Sequence, residues 1–296
     1  MRILITGSSG MLGSALVDEL RKKNDVFELS SNIDESSKKF KFDLTWDENH
    51  YIDFFSSYQF DVIIHCAAII DHEYCSKNIS EAYLVNSLSS AKILKNINSK
   101  TLFVLISSDA VFSDLNFNRS EEEPTSSQSV YGNTKETAEK ICVNQNIHDN
   151  VLIIRTTIVG FSDRCSGLCH WIIDSLRSKK KIKLFNDVFF NPITIWDLSC
   201  EINFIINNIS PLSKEIFHVN GREKISKYDF GYSLAKKLDL DTSLIESGSL
   251  KDFSRRSKRS FNQFLDIHKY SNYSNRKLPL TIDTINLLND YYKEFY

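Results

Sequence analysis

Tyr131 and Lys135 stand four residues apart in the stretch Tyr131-Gly132-Asn133-Thr134-Lys135. On a helix that spacing stacks the two side chains one turn over the other. An unperturbed tyrosine titrates near pH ~10 and is a poor base and a reluctant acid at neutrality. A cation within a few Å favours the phenolate and lowers that value. Earlier in the chain, Ser107-Ser108-Asp109 closes an apolar run. A Ser108 hydroxyl at the end of a strand would share a substrate oxygen with Tyr131. Such a trio protonates or deprotonates a carbonyl/alcohol pair, which is half of a hydride transfer. In a chain with 12 Tyr the Y-x-x-x-K spacing also arises by chance, so the surrounding elements must supply the context.

They begin at the first residues. Arg2-Ile3-Leu4-Ile5-Thr6 is an apolar run ending at a glycine, and it reads as a buried strand. Gly7-Ser8-Ser9-Gly10-Met11-Leu12-Gly13 follows, then a helical pattern with Leu12, Ala15, Leu16 and Leu20 on one face. A strand, a glycine-rich turn and a helix start form a dinucleotide fingerprint, here spaced G-x-x-G-x-x-G. The turn must be tight, its backbone must approach a pyrophosphate, and the helix N-terminus must offer free N–H groups. Gly7, Ser9, Gly10, Met11, Leu12 and Gly13 are therefore expected at the cofactor. The second strand, Val26 to Ser30, ends in Ser30-Ser31-Asn32 with no acid to grip a ribose, and Lys38 and Lys39 follow soon after. This favours NADPH, with NADH also admissible. Asp43 and Leu44, at the exit of a third strand over residues 40–44, are placed for the adenine.

A fourth strand over residues 61–68 runs into Cys66-Ala67-Ala68, a turn small enough for the cofactor ribose to pass close by. His65 in that run reads as a packed core histidine. A helix follows with Ala82, Leu84, Val85, Leu88, Ala91 and Leu94. The fifth strand, 101–107, presents Ser107, Ser108 and Asp109 at its C-terminal end, where open parallel sheets place their ligands. Val151 to Thr156 makes a sixth strand. Alternating strands and helices argue an α/β chain with a Rossmann-type doubly wound parallel sheet. The loop 116–129, with Glu121-Glu122-Glu123, reads as solvated. Residues 1–160, joined again by 191–221, are expected to form the NAD(P)-binding domain. Residues 161–190 and 222–296 are expected to form a smaller α/β substrate-binding lobe, with helices at 167–179 and near 227–238 and 281–295.

The composition narrows the partners. The 296 residues are 42% hydrophobic and 25% charged, with a formal net charge of -2, an ordinary soluble balance that gives no reason to expect nucleic acid. No apolar run approaches the ~18 residues of a membrane span, and the amino terminus is too quickly interrupted for a signal peptide. The 6 cysteines lack paired C-x-x-C spacing. Cys165-x-x-x-Cys169-His170 has no second ligand pair, so no metal is expected and reduced thiols in a cytoplasmic protein are.

Taken in order, these motifs resemble the extended short-chain dehydrogenase/reductase family, in its dTDP-4-dehydrorhamnose reductase branch. The resemblance covers nearly the whole chain. It rests on Thr6-Gly7-x-x-Gly10-x-x-Gly13, Ala67-Ala68, Val85-Asn86, Ser107-Ser108-Asp109-Ala110-Val111-Phe112, Val130-Tyr131-Gly132-Asn133-Thr134-Lys135 and Arg155-Thr156. Outside the fingerprint, Asn186-Asp187-x-x-x-Asn191-Pro192-Ile193-Thr194 and Arg259-Ser260-Phe261-Asn262-Gln263-Phe264-Leu265-Asp266-x-x-Lys269 keep the branch's spacing. The resemblance implies an NAD(P)H-dependent oxidoreductase that reduces a nucleotide-activated 4-keto-6-deoxyhexose for surface polysaccharide synthesis. It implies Tyr131 as proton donor, Lys135 on the phenol and the nicotinamide ribose, and Ser108 on the carbonyl oxygen. Asp109, Val111 and Ile158 would meet the sugar, and Arg259 the diphosphate. The partner it implies is a small nucleotide-sugar, and it admits a homodimer. The departures are Ala110 and Ile158 where the branch has aromatics, Ser260 where it has proline, and the residues after Asp187 where it has glutamine and glycine. They keep open an NAD-retaining epimerase or dehydratase, or a non-catalytic NADP-binding subunit.

Overall fold

The computed structural model describes residues 1–114, 119–144, 148–163, 167–210, 214–252 and 260–296. Its first half alternates as the apolar runs require: β1 (Arg2–Thr6), α1 (Met11–Leu20), β2 (Asp25–Ser30), β3 (Lys39–Lys41), α2 (Glu48–Ser57) and β4 (Val62–His65). After these come α3 (His72–Lys77), α4 (Ile79–Tyr83), a π turn (Leu84–Leu88), α5 (Ser89–Asn96), β5 (Leu102–Ser108), α6 (Val130–Asn144) and β6 (Val151–Thr156). The second half carries β7 (Ile158–Val159), α7 (Leu168–Arg177), β8 (Ile182–Phe185), β9 (Phe189–Phe190), β10 (Ile193–Thr194), α8 (Ile195–Asn208) and β11 (Lys214–His218). It closes with β12 (Ile225–Ser226), α9 (Lys227–Lys237), β13 (Ile245–Gly248), β14 (Asn262–Gln263), α10 (His268–Ser274) and α11 (Thr281–Phe295).

Seven strands pair in the order β11-β6-β5-β4-β1-β2-β3, every pair parallel. Both faces are covered, as a parallel sheet demands. Along β5, Leu102, Val104 and Ile106 face α1 and α8, while Phe103 and Leu105 face α2, α5 and α6. That alternation is the period of two along a strand. The chain leaves β1 toward β2 on one side and reaches β4 on the other. A crevice therefore opens at the carboxyl ends of β1 and β4, where such sheets bind ligands.

Helix starts follow their caps. Asp47 accepts from the backbone N–H groups of Asn49 and His50, Asp71 from Glu73 and Tyr74, Thr194 from Asp197, and Ser226 from Asp229. Beyond β6, β9 lies between β12 and β14, and β8 pairs with β13. The helices α7, α9 and α11 share an apolar core with Phe161, Phe190 and Phe230.

Three local expectations are corrected. The third strand stops at Lys41, which leaves Asp43 and Leu44 in the turn beyond it. The helix expected through Ala82 and Leu94 is interrupted by the π turn. There Asn86 accepts from the Ile69 N–H at 2.7 Å and donates to the Ile69 carbonyl at 2.9 Å and to Thr134 Oγ1 at 3.0 Å. The acid run is not simply solvated: the Glu121 side chain is 4% exposed and accepts the His218 backbone N–H at 2.8 Å. A loop rich in charge looks wet in sequence because nothing nearby in the chain reveals that β11 waits to receive it.

Candidate active site

The crevice holds a cleft of about 510 Å³ lined by Gly7, Ser9, Gly10, Ser30, Asp43, Leu44, Cys66, Ala67 and Ala68, together with Leu29, Phe42, Thr45 and Val85. Gly7 has φ of 68°, and a Cβ there would meet the Ala67 backbone at 2.7 Å. A Cβ on Gly13 would lie 2.2 Å from the Gly7 carbonyl oxygen. The turn is thus a cradle that only bare backbone fits, in front of an α1 N-terminus able to receive phosphate. Gly13→Ala is expected to destabilise the protein by about 1–3 kcal/mol; an unchanged melting temperature would show that the turn yields freely.

At the β2 end the Ser9 and Ser30 hydroxyls bond at 2.7 Å. The nearby carboxylate, Glu28, is taken by Arg21 at 2.7 Å and Lys39 at 3.7 Å. Asp43 caps Thr45 through N–H and hydroxyl bonds of 2.9 and 2.8 Å. Leu12 does not line the cleft but is buried in the core, because the first turn of α1 rolls that face onto the sheet. Met11 is half-buried and approaches Gly167. His65 is buried between the Thr6 and Ser89 hydroxyls, and burial pushes it down to about 3, so it is a neutral core histidine.

β5 delivers Ser108, and α6 opens on Tyr131. Tyr131 is 9% exposed, with its ring 4.8 Å from that of His72 and Ser108 near enough to act on its phenol; the Ser108 hydroxyl itself donates to Asp109 Oδ1 at 3.1 Å. Burial, and then the Asp109 carboxylate, push the phenol well above its ordinary value, against the opposing pull of Ser108. Lys135, one turn on, is 3% exposed. Burial pushes its amine down to about 8, opposed chiefly by Glu139. In this arrangement burial, not the ammonium, governs the phenol. Lys135 exerts its field on His65 and Cys66 instead.

A polar pocket of about 130 Å³ adjoins Ser108, lined also by His72, Asp109, Ala110, Gln128, Ser129, Ser260 and Gln263. Gln263 lines a second pocket of about 410 Å³ as well, with Leu168, Trp171, Phe185, Lys183 and Lys227. Lys227 acts electrostatically on Asp109, whose carboxyl burial raises. Three expected contacts fall elsewhere. Val111 is fully buried with Phe112 and Leu265, Ile158 is half-buried on β7 beside β10, and the Ser107 hydroxyl turns to Glu139 at 2.5 Å. Arg259 lies outside the described residues. Sequence reasoning missed His72, Gln128, Lys227 and Glu139. For Glu139 the signal was available, since it repeats the four-residue step from Lys135.

A sheet of this strand order, with β5 ending on serine and the next helix opening on Tyr-x-x-x-Lys, is that of the extended short-chain dehydrogenase/reductases. Residues 1–286 match the family model described as RmlD substrate binding domain, and the chain belongs to that family. It is similar to a probable low-salt glycan biosynthesis reductase, Agl14, of Haloferax volcanii, at 24% identity over 90% of each chain. It is also similar to methionine adenosyltransferase 2 subunit beta of Bos taurus, at 27% identity over 82% of this chain and 73% of that one. Among solved structures, a dTDP-4-dehydrorhamnose reductase from Bacillus anthracis in complex with NADP shares the fold. Its TM-score is 0.86 at 19% identity, over 97% of this chain and 98% of that one.

Proposed function

We propose that this protein is an NAD(P)H-dependent reductase of a nucleotide-activated 4-keto-6-deoxyhexose, serving the synthesis of surface polysaccharide sugars. The observation that carries this reading is Tyr131, buried and stacked one helical turn from Lys135, with Ser108 acting on its phenol and lining a polar pocket on the sheet that also forms the glycine-cradled cleft. Gly7, Ser9, Gly10, Gly13, Cys66, Ala67 and Ala68 would hold the dinucleotide, and Asp43 and Leu44 its adenine. The paired Ser9 and Ser30 hydroxyls, with Glu28 engaged elsewhere, favour NADPH over NADH. A bound nicotinamide supplies the hydride. Tyr131, kept a neutral phenol by burial, gives its proton to the forming alkoxide oxygen. Ser108 hydrogen-bonds the same oxygen and steadies its growing charge. Lys135 would hold the ribose edge, and its ammonium would steady the phenolate that the departing proton leaves on Tyr131.

The sugar would sit against Asp109 in the smaller pocket. The aromatic and cationic walls around Trp171 and Lys227 suit a nucleoside diphosphate, and Gln263 joins the two. Residues 1–160 with 191–221 would bind the cofactor, and 161–190 with 222–296 the nucleotide-sugar. The test is NADPH oxidation with dTDP-, GDP-, CDP- and UDP-linked 4-keto-6-deoxy sugars. Consumption that depends on one of them supports the reading, and silence with all of them sinks it. A second reading, a cofactor-binding subunit without turnover, is favoured by the similarity to methionine adenosyltransferase 2 subunit beta. Cofactor binding without turnover is its signature.

A further inference from the structure

Beneath the Tyr131–Lys135 pair lies a second layer of charge that the reaction so described does not use. Glu139 stands one helical turn beyond Lys135, and its side chain is 5% exposed. Arg155 on β6, 4% exposed, grips it from below. Its Nε lies 3.0 and 3.2 Å from the two carboxylate oxygens, and its Nη2 lies 2.7 Å from Oε2. Ser107 donates to Oε1. The Arg155 Nη1 then donates to His218 Nε2 at 3.3 Å, while His218 Nδ1 donates to the Asp266 carbonyl at 2.9 Å. That fixes His218 as a neutral acceptor, consistent with burial pushing it down to about 3. Arg155 is thus clamped from the far side and cannot swing away from Glu139.

A buried carboxylate held on several sides is costly unless its charge is used or matched. Arg155 matches it, but the site contains a second cation. Lys135 sits in a pocket with little water, where an ammonium is penalised. The groups that act on it are Glu139 and Cys142 from α6, Cys66 beyond β4, and His65 on β4. Both thiols are pushed up to about 12 by burial and His65 is held neutral. Among the described residues that act on Lys135, Glu139 brings the one carboxylate, with the Arg155 guanidinium standing behind it.

We infer that Glu139 is a positioning residue for the reduction: its carboxylate, fixed by Arg155 and Ser107 one helical turn along α6 from Lys135, favours the ammonium under the reacting tyrosine. The inference rests on the reductase reading given above, but one of its tests does not. Removing the negative charge destabilises the ammonium, so the Lys135 amine loses its proton at lower pH and the alkaline fall of kcat moves with it. In Glu139→Gln both midpoints should drop by about one pH unit, and Glu139→Asp, which keeps the charge, should restore them. A merely structural role would lower activity or melting temperature without moving either midpoint.

The experiment pairs pH profiles of kcat with the pH dependence of Lys135 acetylation by acetic anhydride, read by mass spectrometry on the folded protein. Midpoints lowered in Glu139→Gln and recovered in Glu139→Asp support the inference. Unmoved midpoints in a folded Glu139→Gln overturn it. Should that variant not fold, the double variant Glu139→Leu with Arg155→Leu, which strands no charge, is read the same way: a lowered acetylation midpoint supports the inference, and an unmoved one overturns it. Acetylation needs no sugar, so absent turnover with every keto sugar would remove the reductase reading and leave this result standing.

Discussion

Replacing Tyr131 with phenylalanine is expected to lower kcat by about 10²–10⁴-fold, the range a positioned proton donor contributes. The change removes one hydroxyl from a ring that packs with Cys75 and Ala82 and lies beside His72, so the pocket should keep its shape. The cofactor cleft is walled by other residues, and NADPH affinity should stay within about twofold of the parent, since the substitution leaves that wall intact. Single-turnover oxidation of NADPH and a fluorescence titration of its binding check the two halves separately. A variant that kept most of its kcat would take the proton from somewhere else. Ser108 would be the first candidate, because its hydroxyl acts on the phenol and lines the polar pocket.

Arg155→Leu should be the most damaging single change outside the cleft. It deletes a fork of three contacts and leaves Glu139 buried with Ser107 as its remaining hydrogen-bond donor among the described residues. Breaking one side of a buried pair costs about 3–5 kcal/mol, because the other charge is stranded. In a domain of this size that lowers the melting temperature by roughly 10 °C. The double variant Glu139→Leu with Arg155→Leu should regain most of the loss, since two apolar side chains strand no charge. Thermal unfolding of the two variants side by side decides it. Equal melting temperatures for Arg155→Leu and the parent would mean the pair contributes nothing.

Much of the sheet was legible because buried parallel strands are written as short apolar runs ending at small residues. Arg2 to Thr6 and Val151 to Thr156 could hardly be read otherwise, and both emerged with the bounds expected. The two-residue strands β9, β12 and β14 were not legible, since pairs such as Phe189-Phe190 take their conformation from partners far along the chain. Within the site, the glycines announced themselves by spacing, and Tyr131 and Lys135 by theirs. Val111 and Leu12 misled for a shared reason. A motif names neighbours in sequence, and on a tight turn or a helix alternate neighbours face opposite ways, one to the ligand and the next to the core. Lys227 carried no local sign at all. It reaches the pocket from the first position of α9, after a long excursion of the chain.

The π turn at Leu84–Leu88 sets a rotational phase. Such a turn is an α-helix with one residue too many, and one residue is about 100° of helix. Removing a residue there to make a regular helix would turn everything before it by that angle relative to α5. Ala82 would leave the cluster it forms with Tyr131 and Cys75, and Asn86 would lose the loop at Ile69 or the helix at Thr134, being unable to keep both. The extra residue works like the offset in a gear train: it lets the two ends of one long helix mesh with different partners at once.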